Sequence, residues 1–178
     1  DRGHIGCVSA LLQLRADPNV LSCRGSAPLH AAIKRGLAAT VAELLLGGAK
    51  VDGGTRTAHT PLMIAAATDQ LVCLVLLLTH GANPNQVLPD GTTALSIAAG
   101  EGSTRLVRIL IANGAFLAPP GRANPLVRAA AAGHTETVSA LLMASKATAP
   151  LAQPACLHDA LLVACLRGHA CVAQQLLD

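Results

Sequence analysis

A leucine preceded by proline or alanine recurs at Pro28-Leu29, Pro61-Leu62, Ala94-Leu95, Pro125-Leu126 and Ala160-Leu161, at spacings of 33, 33, 31 and 35 residues. Self-similarity at that period describes a chain of near-copies, each too short to bury its own apolar face and stable only when stacked on a neighbour. Such an array offers surface more than an enclosed centre. Function is therefore to be sought on the outside.

In the best copy, Thr60-Pro61-Leu62-Met63-Ile64-Ala65-Ala66, a hydroxyl stands where it can cap a helix and a proline at the first helical position, where its missing N–H costs nothing. Thr93, Asn124 and Asp159 hold the cap position in other copies, whereas Ala27 cannot cap. Small residues follow in register at Ala32, Ala65, Ala98, Ala129 and Ala164, which lets neighbouring helices approach closely. Gly36, Gly102, Gly133 and Gly168 then suit the left-handed turn that ends a helix, with Asp69 the exception. A second helix carries Val41, Leu44 and Leu45, then Leu74, Leu77 and Leu78, then Val107, Leu110 and Ile111, then Val138, Leu141 and Leu142. This i, i+3, i+4 spacing is the stripe of a helix packed on its neighbours. These helices stop at Gly48-Ala49, Gly81-Ala82 and Gly114-Ala115, and connectors rich in turn formers follow.

These residues carry a resemblance to the ankyrin repeat. Ala27-Pro28-Leu29-His30, Gly133-His134, Gly168-His169 and Gly81-Ala82-Asn83-Pro84-Asn85 reproduce parts of its signature, and the match covers nearly the whole chain. The resemblance implies an all-α solenoid of stacked helix-turn-helix units with projecting loops or β-hairpins. On this register a partial repeat spans 1–21, full repeats span about 22–54, 55–87, 88–118 and 119–153, and a last repeat, 154–178, stops after its second helix. The array is expected to belong to a longer chain. Ala94 and Ala160 depart from proline, and the connectors 116–124 and 148–159 are two residues short and two long, so both are expected to leave the regular hairpin.

Composition narrows the function class. With 52% apolar and 13% charged residues the chain can bury a sizeable core. Six cysteines at uneven positions, at least three of them at sites that want a small buried residue, favour reduced thiols and an intracellular, cytoplasmic setting. The longest apolar run, Leu71 to Leu78, has eight residues against roughly 20 for a bilayer span, so membrane insertion is not expected. The net charge is +3 and the only aromatic residue is Phe116. That counts against nucleic acid, which wants clustered cations and, when single-stranded, stacking platforms.

The family implies recognition of another protein through first helices and loop tips. Carried over position by position, the candidate partner-binding residues are Arg24, Ser26, Lys34, Arg35, Arg56, His59, Thr68, Asp90, Thr92, Glu101, Arg122 and Arg167, with Cys23, Thr57, Ala67 and His158 beside them. Arg24, Lys34, Arg35 and Arg56 place four cations on two consecutive units, so an acidic or phosphorylated partner segment is expected there. The plainer alternative is that they are solvated charges that keep the surface soluble. The expected role is a scaffold or adaptor; the alternative is the cytosolic substrate-recognition region of a larger enzyme, such as a ubiquitin ligase, or of a channel.

No enzymatic site and no cofactor are expected. Cys156, His158, Cys165, His169 and Cys171 are five potential zinc ligands within 16 residues, but their spacing fits no paired Cys-x-x-Cys pattern and the repeat accounts for most of them. Cys156, His158 and Asp159 mimic a nucleophile with its base, yet Asp159 is better read as a helix cap. His4, His30 and His134 hold signature positions in which family histidines make structural hydrogen bonds. Asn19 and Asn85 occupy sites where ankyrin asparagines are sometimes hydroxylated; the other reading is that they brace the turn.

Overall fold

The computed structural model describes residues 2–23, 25–53, 59–118, 123–148 and 154–177. Among these residues it contains eleven helices and no strand. They fall into two compact units, residues 1–83 and 84–178.

The first unit holds α1 (Arg2–Gln13), α2 (Pro28–Lys34), α3 (Ala38–Leu46), α4 (Pro61–Ala67) and α5 (Leu71–Thr79). Helices α2 and α4 are the first helices of successive repeats and pack on each other, while α1, α3 and α5 form a second row in the same order. The second unit repeats this with α6 (Ala94–Gly100), α7 (Thr104–Ala112), α8 (Pro125–Ala132), α9 (Thr135–Thr148), α10 (Pro154–Leu166) and α11 (Ala170–Leu177). There α6, α8 and α10 stack as first helices, and α7, α9 and α11 as second helices.

The caps explain where first helices begin. Thr60 accepts the Met63 N–H at 3.3 Å. Thr93 accepts the Ser96 N–H at 3.1 Å while Ser96 Oγ accepts the Thr93 N–H at 2.9 Å, a reciprocal box that satisfies two otherwise unpaired donors. Asn124 Oδ1 takes the Leu126 N–H at 2.8 Å. Ala27 supplies no side-chain cap, so α2 relies on Pro28 alone.

The core lies between the rows within each unit. Ala65, Ala98, Ala129 and Ala164 are fully buried and Ala32 nearly so. Opposite them the stripe residues Val41, Leu44, Leu74, Leu77, Val107, Leu110, Val138 and Leu141 are buried. Burial of one such leucine is worth about 2 kcal/mol, so the stripes supply most of the drive for stacking. Polar pairs pin the second row: Ser9 Oγ donates to Glu43 at 3.0 Å, Thr104 and Thr137 share a hydrogen bond of 2.9 Å, and Gln175 donates to Ser139.

Three expectations need correction. Asp159 does not cap a helix: Pro154 starts α10 five residues earlier, leaving Asp159 exposed on its interior turns. The second helix of the fourth full repeat lacks the Gly-Ala stop, so α9 runs fourteen residues, against nine for α3, α5 and α7, and absorbs part of the long connector. Of the six cysteines only Cys73 is buried; Cys156 is half-buried, and Cys7, Cys23, Cys165 and Cys171 are exposed.

Candidate functional site

Each first helix leaves one stripe uncovered, except that in α6 the stripe residue Ile97 is buried. In α2 it is Ala31, Lys34 and Arg35, all exposed, at the i, i+3, i+4 spacing of one helix face. The corresponding residues are Ile64, Ala67 and Thr68 in the next repeat, then Ile97, Gly100 and Glu101, then Arg128, Ala131 and Ala132, then Val163, Leu166 and Arg167. Most polar members stand at the helix C-termini; Arg128 stands in the middle of α8.

Within the first unit, Lys34 ends α2 and Arg35 caps it, so both cations also complement the negative end of the helix. Thr68 caps α4 and donates its hydroxyl to the Ile64 carbonyl at 2.8 Å. Ser26 closes a turn in which Ser22 N–H donates to its carbonyl at 3.0 Å and its own N–H donates to Ser22 Oγ at 3.2 Å. His59 is half-buried beside Thr60; Cys23 and Ala67 are exposed. Arg24, Arg56 and Thr57 lie outside the described residues, so of the four-cation cluster the structure places Lys34 and Arg35 together.

Within the second unit, Leu88 and Thr92 close the equivalent turn at 2.9 Å. Asp90 accepts the Thr92 N–H and the Thr92 hydroxyl, each at 2.9 Å. These two bonds, with Arg128 as a weaker contributor, hold the Asp90 carboxyl below the usual carboxylate range. Thr92 is buried and spends its hydroxyl on this turn; Asp90, Glu101, His158 and Arg167 are exposed. Arg122 lies outside the described residues. Arg128 was missed by sequence reasoning, although its register, shared with Ala31, Ile64 and Ile97, would have found it.

The histidines divide. His134 Nε2 bonds the Gly100 carbonyl at 3.0 Å and His169 Nε2 bonds the Ala131 carbonyl at 3.2 Å, each tying one repeat to the one before. His30 is buried and neither ring nitrogen has a hydrogen-bond partner of good geometry among the described residues. Burial pushes its pKa below the usual imidazole range, against a smaller opposite pull from the backbone of Gly53 and Ala27. The His4 side chain lies outside the described residues. Asn19 and Asn85 brace turns: Asn19 Nδ2 donates to the Gly48 carbonyl at 3.2 Å and its Oδ1 accepts the Lys50 N–H at 2.8 Å, and Asn85 repeats both bonds.

No group of three or more metal-ligating side chains converges among the described residues. Likewise, no described helix is long and apolar enough to cross a membrane.

The family model described as "Ankyrin repeats (3 copies)" matches residues 1–87 and 70–153. The chain is 36% identical over 114 residues to the B-cell lymphoma 3 protein homolog of Mus musculus, covering 61% of this chain and 25% of that protein. It is 35% identical over 147 residues to the ankyrin repeat and KH domain-containing protein mask-1 of Caenorhabditis elegans, covering 79% of this chain and 6% of that one. Among solved structures, the human ASB11 ankyrin repeat domain superposes with a TM-score of 0.84 at 24% identity, over 99% of this chain and 79% of that chain. The chain thus spans a quarter or less of these two curated relatives. Helix pairs, caps and left-handed turns in register, with a family match reaching from residue 1 to residue 153, place the chain in the ankyrin-repeat family.

Proposed function

We propose that this chain is a protein-interaction scaffold or adaptor that binds a partner through the free stripe of its first helices and the adjoining loop tips. The observation that carries this reading is the sorting of side chains in those helices: one face is committed to packing, while Lys34 and Arg35 in one unit, and Glu101 and Arg167 in the other, stand exposed at their C-termini, with Arg128 exposed in the middle of α8. A surface already held by the stack needs no ordering on contact, which lowers the entropic cost of association. Ser26, His59, Thr68, Asp90 and Thr92 contribute shape and turn geometry around these charges, and Arg24, Arg56 and Arg122 extend the candidate set in sequence.

Lys34 and Arg35 favour an acidic or phosphorylated partner segment, because guanidinium and ammonium groups reward carboxylate or phosphate oxygens. The test is a library of acidic and phosphorylated peptides probed with the chain and with two variants. Reversal at Lys34 and Arg35 together should weaken binding at least tenfold, and reversal at Arg105 and Arg108 on α7 by much less. Equal losses would end the reading. A second reading, the recognition region of a larger protein such as a ubiquitin ligase or a channel, is favoured by the small share of each curated relative that the chain spans. The two differ in what else the full polypeptide carries, not in the surface used.

A further inference from the structure

The outward face of the second helices changes character along the chain. It is formed by Ala39, Ala42, Glu43 and Leu46 in α3 and by Val72, Val75, Leu76 and Thr79 in α5, each set spaced i, i+3, i+4, i+7 on one side of its helix. In the second unit the register mates are Arg105, Arg108, Ile109 and Ala112 in α7, and Glu136, Ser139, Ala140 and Met143 in α9. Charges mark the solvated side there, as in an ordinary surface helix. In α3 and α5 none of the exposed residues, Ala39, Leu46, Val72, Val75 and Thr79, is charged.

Leu46 is 77% exposed, Val72 59% and Val75 39%. Thr79 is the only polar residue of α5, and a helix apolar on every side belongs in an interior. The polar groups of this face are spent within the chain. Glu43 accepts the Ser9 hydroxyl at 3.0 Å, which draws its carboxylate to the α1 side, and Thr79 donates its hydroxyl to the Leu76 carbonyl at 2.9 Å.

We propose that the α3–α5 face docks a second copy of this chain about a two-fold axis. Charge and relief both select a copy over a different partner. A two-fold interface sets the patch against itself, so a charge near the axis meets its own kind, and a face without exposed charge avoids that repulsion. The relief is self-matching as well. On one side of α3 Leu46 forms a bump, and Ala39 and Ala42, seven and four residues earlier, leave a hollow. With two α3 helices antiparallel across the axis, Leu46 of each copy fills the Ala39 and Ala42 hollow of the other, and Val72 and Val75 extend the contact along α5. Two helices of nine residues, each about 14 Å long and about 10 Å apart, cover less than the roughly 800 Å² per partner of a standard interface, so the dimer is weak. The face shares no residue with the first-helix stripe, and the inference stands apart from the partner-binding reading.

Sedimentation equilibrium of the chain from about 5 to about 500 µM tests it, and the average mass should rise from one chain toward two. Leu46→Glu should keep the chain monomeric across that range, with helical circular dichroism unchanged because the side chain is so exposed. Ala39→Lys alone should weaken the dimer at least tenfold. Met143→Glu, at the mate of Leu46 in α9, should leave it intact. An equimolar mixture of the Leu46→Glu and Ala39→Lys chains should associate again, since the mixed dimer pairs the new carboxylate with the new ammonium at one contact and keeps the native contact at the other. A chain that stays monomeric throughout overturns the proposal and leaves the face to a different protein. Dimers that persist in Leu46→Glu, or that Met143→Glu abolishes equally, overturn it as well, as does a mixture no more associated than its components.

Discussion

Asn85 reaches the backbone of the following repeat and holds it at Phe116: its Oδ1 accepts the Phe116 N–H at 2.7 Å while its Nδ2 donates to the Gly114 carbonyl at 2.9 Å. Asn19 makes the same pair of bonds in the first unit, to Lys50 and Gly48. Asp52 shares the register and accepts the Asn83 N–H at 3.2 Å, but a carboxylate has no hydrogen to give to a carbonyl. Asn85→Ala should therefore lower stability by about 1–2 kcal/mol, with Asn85→Asp retaining the acceptor half and losing less. Urea unfolding measures the first effect. Amide exchange at Phe116 should quicken in the alanine variant and not in the aspartate variant.

Gly102 and Gly114, on either side of α7, separate two penalties that usually arrive together. Gly114 has φ of 82° and open space around it, so Gly114→Ala costs only the left-handed backbone, about 1 kcal/mol. Gly102 has a similar φ of 73°, but a methyl there strikes the His134 ring and displaces its bond to Gly100. Gly102→Ala should cost about 2–4 kcal/mol. If His134→Ala erases the difference between the two glycine variants in denaturant midpoint, the ring is the cause.

His30 gives the fold a pH dependence of known sign. Its pKa is lowered from 6.5 chiefly by burial, so between the two values the unfolded chain binds a proton that the folded chain refuses. Stability is full above about pH 6.5, falls as pH drops from there toward the depressed folded value, and levels off below it. His30→Met, which installs the residue found at the same register position as Met63, should flatten that part of the profile. Between pH 7.5 and 5.5 the unmodified protein should lose up to about 1 kcal/mol more than the variant. Parallel profiles would show that the imidazole is not held neutral.

How much of this was legible in the sequence depends on the range of the interaction. Thr60, Thr93 and Asn124 cap through hydrogen bonds that span two or three residues, so pattern alone finds them. Val41, Leu74, Val107 and Val138 announce their burial by period. Asp159 had the right residue type in the right register, and lost its role because Pro154 offered an earlier start. The exposure of Cys165 depends on what stacks against α10, which no local pattern encodes. The four-cation cluster was drawn from register, but shared register does not fix where side chains meet, and only Lys34 and Arg35 fall within the described residues. Arg128 sits in plain register with Ala31, Ile64 and Ile97, whose small or apolar side chains give that position no polar signature.

The start of α2, uncapped where α4 and α6 are capped, should be improvable by one residue. Ala27 precedes α2 with extended backbone, φ of −79° and ψ of 160°, close to the φ of −77° and ψ of 159° at Thr60, yet offers no side chain to the first N–H groups. Thr60 and Thr93 show that the position accepts a threonine when nearly buried, at 2% and 3% exposure against 9% for Ala27. A threonine hydroxyl at 27 would accept the His30 N–H as Thr60 accepts that of Met63, and it would bring an oxygen close to the imidazole of the same residue, which has no hydrogen-bond partner of good geometry among the described residues. Ala27→Thr should therefore stabilise the protein by about 1 kcal/mol, visible as a higher denaturant midpoint at an unchanged slope. In the His30→Met background the cap survives and the imidazole is gone. A gain that persists there belongs to the helix start, and a gain that disappears belongs to the histidine.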